Sequence, residues 1–302
     1  MKTAVITTGG MGTRLATITK SLPKTMLPLY SKSENDGVHI LKPIIEIIFE
    51  NLYHYGFRKF CIIVSSTYKS AIKNHLTQDP SFIELLSKRS HYHDKRFVKI
   101  LSKLYKKIEK CEIHWINQDT PMGFGHALLS AKKYVGNDDF LLHAGDTYFP
   151  NYAFLPKLIN LFQKDSDTVC SLLLESKKLL KGYGIAQVSR IHNQNIVFRV
   201  EEKPKKPKSN LAILPVYVFK SNIFRALTKT NHGYNKELQV TDAIDTLIHW
   251  NKKIIALKMK SKWFDIGTPQ RYLNALNYSY KYVPKRPSST CNQNFFPSNT
   301  NG

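Results

Sequence analysis

Three glycines in four positions, Gly9, Gly10 and Gly12, are followed by Arg14 and, ten residues further on, by Lys24. Glycines let a backbone turn sharply and let a ligand come close to its N–H groups. Two fixed cations beside such a turn add charge to those donors. Together they make an anion site, and a polyphosphate is the anion that suits it. Three glycines alone would equally describe an ordinary surface turn. The spacing is not a Walker loop, because no Gly-Lys-Ser/Thr follows at the required distance. Nor is it the dinucleotide fingerprint, since Leu15 stands where the third glycine would be needed. Asp146, directly after Gly145 and an apolar run, is a second position with chemistry. A carboxylate at the end of a strand can hold Mg²⁺, or it can serve as a turn or helix cap.

These groups need elements to position them. The apolar runs Ala4-Val5-Ile6, Phe60–Val64 and Phe140–Ala144 predict buried strands, and Glu112–Asn117 alternates as a strand does. Apolar residues at 41, 44, 45, 48, 49 and 52 predict a helix over Pro43–Tyr55, stopped at Gly56. A second helix is expected from Gly123 to Tyr134. Strand, loop, helix, strand is the start of a parallel α/β sheet, whose ligands sit beyond the carboxyl ends of the strands, where residues 9–14 fall. From Thr168 strands dominate, at 168–174, 185–191, 196–201, 214–219 and 254–259, and Pro269–Tyr282 predicts a closing helix.

The chain has 302 residues, 42% of them apolar, which is ample for a core. It contains no apolar run approaching the ~18 residues of a membrane span, so no membrane insertion is expected. Its first strand opens almost at once. Cys61, Cys111, Cys170 and Cys291 form no Cys-x-x-Cys pair and read as reduced cysteines of a cytoplasmic protein. The net charge of +23 favours anionic partners, whether nucleotides, phosphosugars, RNA or acidic lipid. Much of that charge falls in residues 81–110, where nine Lys or Arg lie between Lys88 and Lys110. Phe97, Leu101, Leu104 and Ile108 keep helical spacing there, so an amphipathic helix with a solvated cationic face is expected. His91 and His93 lack a third ligand nearby and are not read as a metal site. Residues 283–302, rich in Pro, Ser, Asn and Thr, predict a disordered tail.

The stretch from Gly10 to Pro28 reads Gly-Met-Gly-Thr-Arg, then Thr-Lys-Ser-Leu-Pro-Lys-Thr-Met-Leu-Pro. It resembles the signature of the sugar-1-phosphate nucleotidyltransferases, and looks closest to the bacterial-type UTP–glucose-1-phosphate uridylyltransferases. Further matches are Gln118, Gly145-Asp146, Gly182-Tyr183-Gly184, Glu201-Glu202-Lys203-Pro204, Glu237–Ile244 and Trp263–Pro269, so the resemblance spans about residues 2–280. Two positions depart from the usual family pattern: Thr17 stands in place of proline, and Pro215 in place of glycine.

The resemblance implies an α/β fold, a single Rossmann-like, mixed and mostly parallel sheet flanked by helices, with a smaller β-rich sugar-binding part. The catalytic domain would cover 1–280, with a nucleotide part at about 1–150, a sugar-phosphate part at about 165–265 and the basic insert at 81–110. It implies that Arg14 and Lys24 are catalytic and that Gly9, Gly10, Gly12, Thr13, Gln118 and Gly123 hold the nucleotide. Gln118 would read the pyrimidine edge, for which an amide offers both a donor and an acceptor. Gly184, Glu202 and Lys203 would bind the sugar phosphate, and Asp146 with Asp265 would hold Mg²⁺. The expected reaction joins UTP or dTTP to a sugar-1-phosphate, with glucose-1-phosphate the expected acceptor. Thymidylyl transfer and use of an N-acetylhexosamine phosphate are the enzyme alternatives; a regulatory or RNA-binding relative is the non-enzyme one. A homo-oligomer, dimer or tetramer, is implied, and nucleic acid is not an expected partner.

Overall fold

The computed structural model describes residues 1–282 except 11, 34–36, 89–91, 121, 165–166, 175–179 and 232. The expected tail at 283–302 and His91 lie outside the described residues. Nine strands form one sheet: β1 (Thr3–Thr7), β2 (Lys59–Val64), β3 (Glu112–Asn117), β4 (Phe140–Ala144), β5 (Thr168–Leu174), β6 (Gly184–Ile191), β7 (Gln194–Glu202), β8 (Leu211–Phe219) and β9 (Ile254–Lys258). Their order across the sheet is β3-β2-β1-β4-β8-β5-β9-β7-β6. The first four are mutually parallel, β8 and β7 run against their neighbours, and β5 pairs parallel with β9. Only β8 and β7 therefore point the other way, and the mixed, mostly parallel sheet expected from the sequence is present.

Side chains of a strand alternate between faces, and both faces here are apolar. In β1, Ala4 and Ile6 join one core while Val5 joins the other; in β4, Leu141 faces the first, and Phe140 and Leu142 the second. A sheet buried on both faces reads as a continuous apolar run, which is why these strands were legible. Helices cover it: α1 (Ile44–His54) and α2 (Tyr92–Glu109) on the first core, and α3 (Phe124–Ser130), α5 (Asn222–Lys229) and α6 (Val240–His249) on the second. Two further helices, α4 (Leu155–Gln163) and α7 (Pro269–Lys281), pack on the first core. The helix expected over 123–134 is two pieces, α3 and a short turn Lys132–Val135. Residues 81–110 likewise hold two helices rather than one, Pro80–Lys88 and α2.

The anchorage of α2 is electrostatic. Lys42 Nζ lies 2.7 Å from both Glu46 Oε1 and Glu50 Oε2, and all three residues are buried. Lys107 of α2 reaches Glu50 Oε1 at 2.6 Å, and His75 Nε2 meets Glu46 Oε2 at 2.9 Å. Burial alone would depress the Lys42 ammonium, but the two carboxylates outweigh it and hold its pKa above the ordinary value. Cys61 and Cys170 are buried free thiols, each pushed up to about 12 by burial, so both are inert at neutral pH. Among the described residues no helix is long and apolar enough to cross a membrane.

Candidate active site

The chain leaves β1 at Thr7 into a loop pinned between its two neighbours. Thr8 N–H donates to Ile63 O of β2 at 2.8 Å, and Gly145 N–H, just past β4, donates to Thr7 O at 2.8 Å. The loop thus begins at the carboxyl ends of three parallel strands, where such sheets bind ligands. At Gly12 the backbone is left-handed, φ +63, and opens the short turn Thr13–Leu15. A side chain there would be strained and would also meet Thr19 Cγ2 at 2.9 Å and Lys24 Cε at 3.0 Å. Glycine at this point lets Lys24 fold in beneath the turn.

A cavity of about 370 Å³ opens in front of that loop, lined by Gly9, Gly10, Thr13, Lys24, Gln118 and Gly123 among others. Gln118 is buried, its N–H tied to Val64 O at 2.7 Å, so its amide is fixed at the rim of β2. Its Nε2 lies 3.2 Å from His126 Nδ1 and 3.5 Å from Gly123 O, while Oε1 sits 2.9 Å from where a Cβ on Gly9 would be. Gly123, at φ +105, caps α3, and a Cβ there would stand 2.5 Å from Leu238 O. Any side chain at 123 would push the segment 237–238 away from the cavity.

The two aspartates, 119 residues apart in sequence, meet through a small antiparallel pairing. Thr147–Tyr148 pairs with Phe264–Asp265, with Asp265 opposite Thr147, and Ile266 N–H donates to Asp146 O at 3.0 Å. Asp146 accepts a hydrogen bond from Lys24 Nζ at 2.8 Å. Asp265 is ion-paired with Arg271 in the first turn of α7. A Cβ on Gly267 would lie 2.8 Å from both the Arg14 guanidinium and Asp265 Oδ1, so Arg14 stands near this same carboxylate. Burial, reinforced by the charge on Asp146, raises the Asp265 pKa; Arg271, Lys24 and Arg14 pull it back. The net upward direction shows that burial and the charge on Asp146 outweigh the three cations around Asp265.

A second cavity of about 270 Å³ shares Phe124, Ala144 and Asp146 with the first and is lined beyond them by Gly184, Glu202, Lys203, Pro215, Thr241 and Asp265. Gly184 opens β6 directly opposite Glu202 at the end of β7, and a Cβ on it would meet Thr241 Oγ1 at 2.7 Å and Glu202 Oε2 at 3.0 Å. Lys203 follows with φ +44, its N–H bound to Tyr183 O at 3.1 Å and its Nζ 3.4 Å from Glu202 Oε1 and 4.9 Å from the Tyr234 ring centroid. Pro215 sits where the pairing of β8 with β5 shifts register between Leu214 and Tyr217, a bulge that tolerates its missing N–H.

Of the residues that the resemblance assigned to the site, all but Arg14 line one or both of two adjoining cavities. Lys24 is engaged with Asp146, and Arg14 stands at the Asp265 side rather than among the glycines. Sequence reasoning missed Arg271, whose position three residues past the helix cap Thr268 could have marked it as a neighbour of Asp265. Asp242 falls within the matched stretch Glu237–Ile244 and in the first turn of α6. The carboxyl of Asp242 is raised to about 6 by burial, then by the charges of Glu202 and Asp245. His143, below the site, is fully buried with its pKa lowered to about 4 and its Nε2 2.9 Å from Tyr152 Oη, so it stays neutral.

Comparison with known proteins places these features in a family. The model of the Nucleotidyl transferase family matches residues 3–281. A UTP–glucose-1-phosphate uridylyltransferase of Mycoplasma pneumoniae is 30% identical over 285 residues, 92% of either chain. One from Bacillus subtilis is 30% identical over 275 residues, covering 88% of this chain and 87% of its own. Among solved structures, a UDP-glucose pyrophosphorylase complexed with UDP-glucose superposes with a TM-score of 0.77 at 26% identity, over 93% of this chain and 99% of the other. A UTP-bound enzyme of that kind from Acinetobacter baumannii gives 0.79 at 25% identity, over 95% of each chain.

Proposed function

The chain belongs to the nucleotidyl transferase family, and we propose that it transfers the uridylyl group of UTP to glucose-1-phosphate, releasing pyrophosphate. The observation that carries this reading is the position of Asp146, which lines both cavities and is paired with Lys24. A reaction that joins two phosphates needs its charged groups where the two substrates meet. The relatives named above as UTP–glucose-1-phosphate uridylyltransferases support the choice of substrates.

On this reading a phosphate oxygen of glucose-1-phosphate attacks the α-phosphorus of UTP. One P–O bond forms, the bond to the β-phosphate breaks, and pyrophosphate leaves with the electron pair. The attacking phosphate, with a second pKa of about 6, is already ionised at neutral pH, so no general base is required. Neutral His143 is consistent with that. Catalysis is alignment and charge neutralisation. The turn at Gly9–Thr13 offers N–H donors to the triphosphate, Lys24 steadies the α-phosphate, and Arg14 steadies the β- and γ-phosphates. Gln118 presents its amide to the uracil edge. Glu202 accepts from sugar hydroxyls near Gly184, and Lys203 holds the sugar phosphate.

Asp146 and Asp265 fit Mg²⁺. They are two hard oxygen donors on paired strands, close enough that the charge of one raises the pKa of the other. Mg²⁺ is commonly bound through one or two carboxylates and substrate phosphates, and when bound it neutralises phosphate charge during displacement. The nucleotide part at about 1–150 and the sugar-phosphate part at about 165–265 are then two ends of one sheet. A homo-oligomer belongs to the same proposal: Leu41, Leu273, Tyr280 and Tyr282 leave apolar surface exposed, and sedimentation of the pure protein tests it.

The deciding experiment is a pyrophosphate-release screen of the four nucleoside triphosphates and dTTP against a panel of sugar-1-phosphates. The expected result is strong preference for UTP with glucose-1-phosphate. Equal or better turnover with dTTP or with an N-acetylhexosamine phosphate would reassign the substrate, and no turnover with any pair would remove the enzymatic reading.

A further inference from the structure

Gln118 is held at its main chain and again at its amide, and one partner of the amide has no other place in the site. The main-chain N–H is tied to β2, while Nε2 lies 3.2 Å from His126 Nδ1 and 3.5 Å from Gly123 O. His126 lines neither cavity. It stands half-buried in the first turn of α3, whose path is set without the imidazole. Gly125 N–H donates to Leu238 O at 2.8 Å, Ala127 N–H donates to Gly123 O at 3.1 Å, and Ala127 and Leu128 are buried in the second core. A fixed turn therefore presents the ring to Gln118.

That contact decides which way the amide faces. A primary amide nitrogen donates and does not accept, so His126 Nδ1 is the acceptor and the ring proton is on Nε2. Turning the amide over would set Oε1 against Gly123 O, two acceptors with no hydrogen between them, and would demand the other imidazole tautomer. Both neighbours thus favour one orientation, donor toward α3 and acceptor toward Gly9. The missing side chain of Gly9 gives Oε1 its room, since a Cβ there would stand 2.9 Å away. Gly9 and Gln118 line the first cavity together.

A pyrimidine is sensitive to that orientation. Uracil carries a hydrogen on N3 between two carbonyl oxygens, whereas cytosine N3 carries a lone pair beside an amino group. A free amide serves either base by turning over, because its two ends exchange donor for acceptor. An amide held with its oxygen forward matches the uracil N3–H and opposes the lone pair of cytosine N3. We propose that His126 is a positioning residue: by holding the Gln118 amide with its oxygen toward the base, it makes the nucleotide site choose uracil over cytosine. This rests on the uridylyl-transfer reading above and adds to it the side chain that decides between those two bases.

The test is pyrophosphate release by the full chain with UTP, dTTP and CTP, each varied at saturating glucose-1-phosphate, in the wild type, His126→Leu and His126→Asn. Leucine fills the space without an acceptor. Asparagine returns one, because its Oδ1 branches from Cγ as Nδ1 does. In His126→Leu the UTP:CTP ratio of kcat/KM should fall about five- to tenfold, the effect of one lost neutral hydrogen bond, with CTP turnover rising in absolute terms. His126→Asn should recover most of the ratio. The UTP:dTTP ratio should stay within about twofold of wild type in both, because uracil and thymine offer the same N3–H donor. Loss of packing alone would lower all three nucleotides together and would not raise CTP. His126→Phe, which also lacks an acceptor, takes the place of the leucine variant if that one does not fold. An unchanged UTP:CTP ratio in a folded acceptor-free variant, or an equal fall in His126→Leu and His126→Asn, would overturn the inference and leave uridylyl transfer standing. A wild type that uses CTP as well as UTP would do the same, and no turnover with any of the three would overturn both readings.

Discussion

Replacing Gly184 with alanine tests the sugar-phosphate half of the site with one methyl group. The residue opens a strand, so its backbone accepts alanine, and the effect comes from space. The new Cβ would stand 2.7 Å from Thr241 Oγ1 and 3.0 Å from Glu202 Oε2. Thr241 is buried at the start of α6 and lines the same cavity. Glu202 lies at the cavity wall beside Lys203 and is the partner that must move. Overpacking of this sort costs about 1–3 kcal/mol when nothing yields, and less when a side chain can shift. If the Glu202 carboxylate receives sugar hydroxyls, its displacement removes a hydrogen bond to a charged group, worth about 1.5–3 kcal/mol. At about 1.4 kcal/mol per decade, kcat/KM for glucose-1-phosphate should fall roughly ten- to hundredfold. The KM for UTP should hold, because Gly184 faces only the second cavity. The assay is pyrophosphate release with glucose-1-phosphate varied at saturating UTP, beside a urea melt to confirm folding. A folded variant with unchanged kcat/KM for glucose-1-phosphate would show that Glu202 does not contact the sugar.

Three further outcomes are expected. Asp265→Asn removes one of two carboxylates proposed to hold Mg²⁺, so the metal concentration giving half-maximal rate should rise at least about tenfold; an unchanged metal titration would take Asp265 out of the site. Gln118→Ala deletes both hydrogen bonds proposed to the base, and the preference for UTP over ATP should drop by roughly one to two decades, as measured by competing the two nucleotides; an unaltered ratio would leave Gln118 a structural residue of the β2 rim. Asp242 titrates at about 6 in the folded protein and at about 3.9 when unfolded, so between those values the native state binds the extra proton and stability falls as pH rises. Asp242→Asn should therefore stabilise the fold at pH 7.5, by about 1 kcal/mol once half-exposure is discounted from the full two-unit shift, and not at pH 4. Urea melts at the two pH values decide it, and an equal effect at both would deny the raised carboxyl.

The parts of this molecule that were readable in advance are those where local sequence carries the physical constraint. Strands β1, β2 and β4 announced themselves because both faces are buried, leaving no polar alternation to dilute the run. The Gly9–Lys24 stretch was readable because a left-handed turn at Gly12 with Lys24 folded against it leaves no space for a side chain there. What escaped notice depends on meetings across the fold. The pairing of Thr147–Tyr148 with Phe264–Asp265 is two residues long on each side, too short for any periodic signal. Arg271 acquires its role only because α7 starts beside that pairing. The hairpin Pro28–Lys32 with His39–Pro43 also went unread, since its burial alternates weakly and Pro28 and Pro43 sit at its open end. Residues 81–110 were read as one amphipathic helix where Pro80–Lys88 and α2 are two, because periodicity alone does not mark the break between them.

The ion pairs of the site bear on how it would receive charge. Each carboxylate assigned to metal already has a cation of the chain: Lys24 on Asp146, Arg271 on Asp265, with Arg14 close to the latter. Three cations against two carboxylates leave the cluster one positive charge in excess, which attracts a nucleotide whose phosphates remain net negative after pairing with one dication. Lys24 cannot serve Asp146 and an α-phosphate equally from one position, so on the proposed reading its 2.8 Å bond to Asp146 loosens as phosphate arrives. The same logic frees Arg14 toward the triphosphate while Arg271 stays anchored near Thr268. Charge is exchanged between partners already in place, and no lysine or arginine must be brought from solvent. This pairing keeps both carboxylates compensated by cations of the chain itself. Preorganisation here lies in cations held within a few ångströms of where they act, each on a partner weak enough to leave.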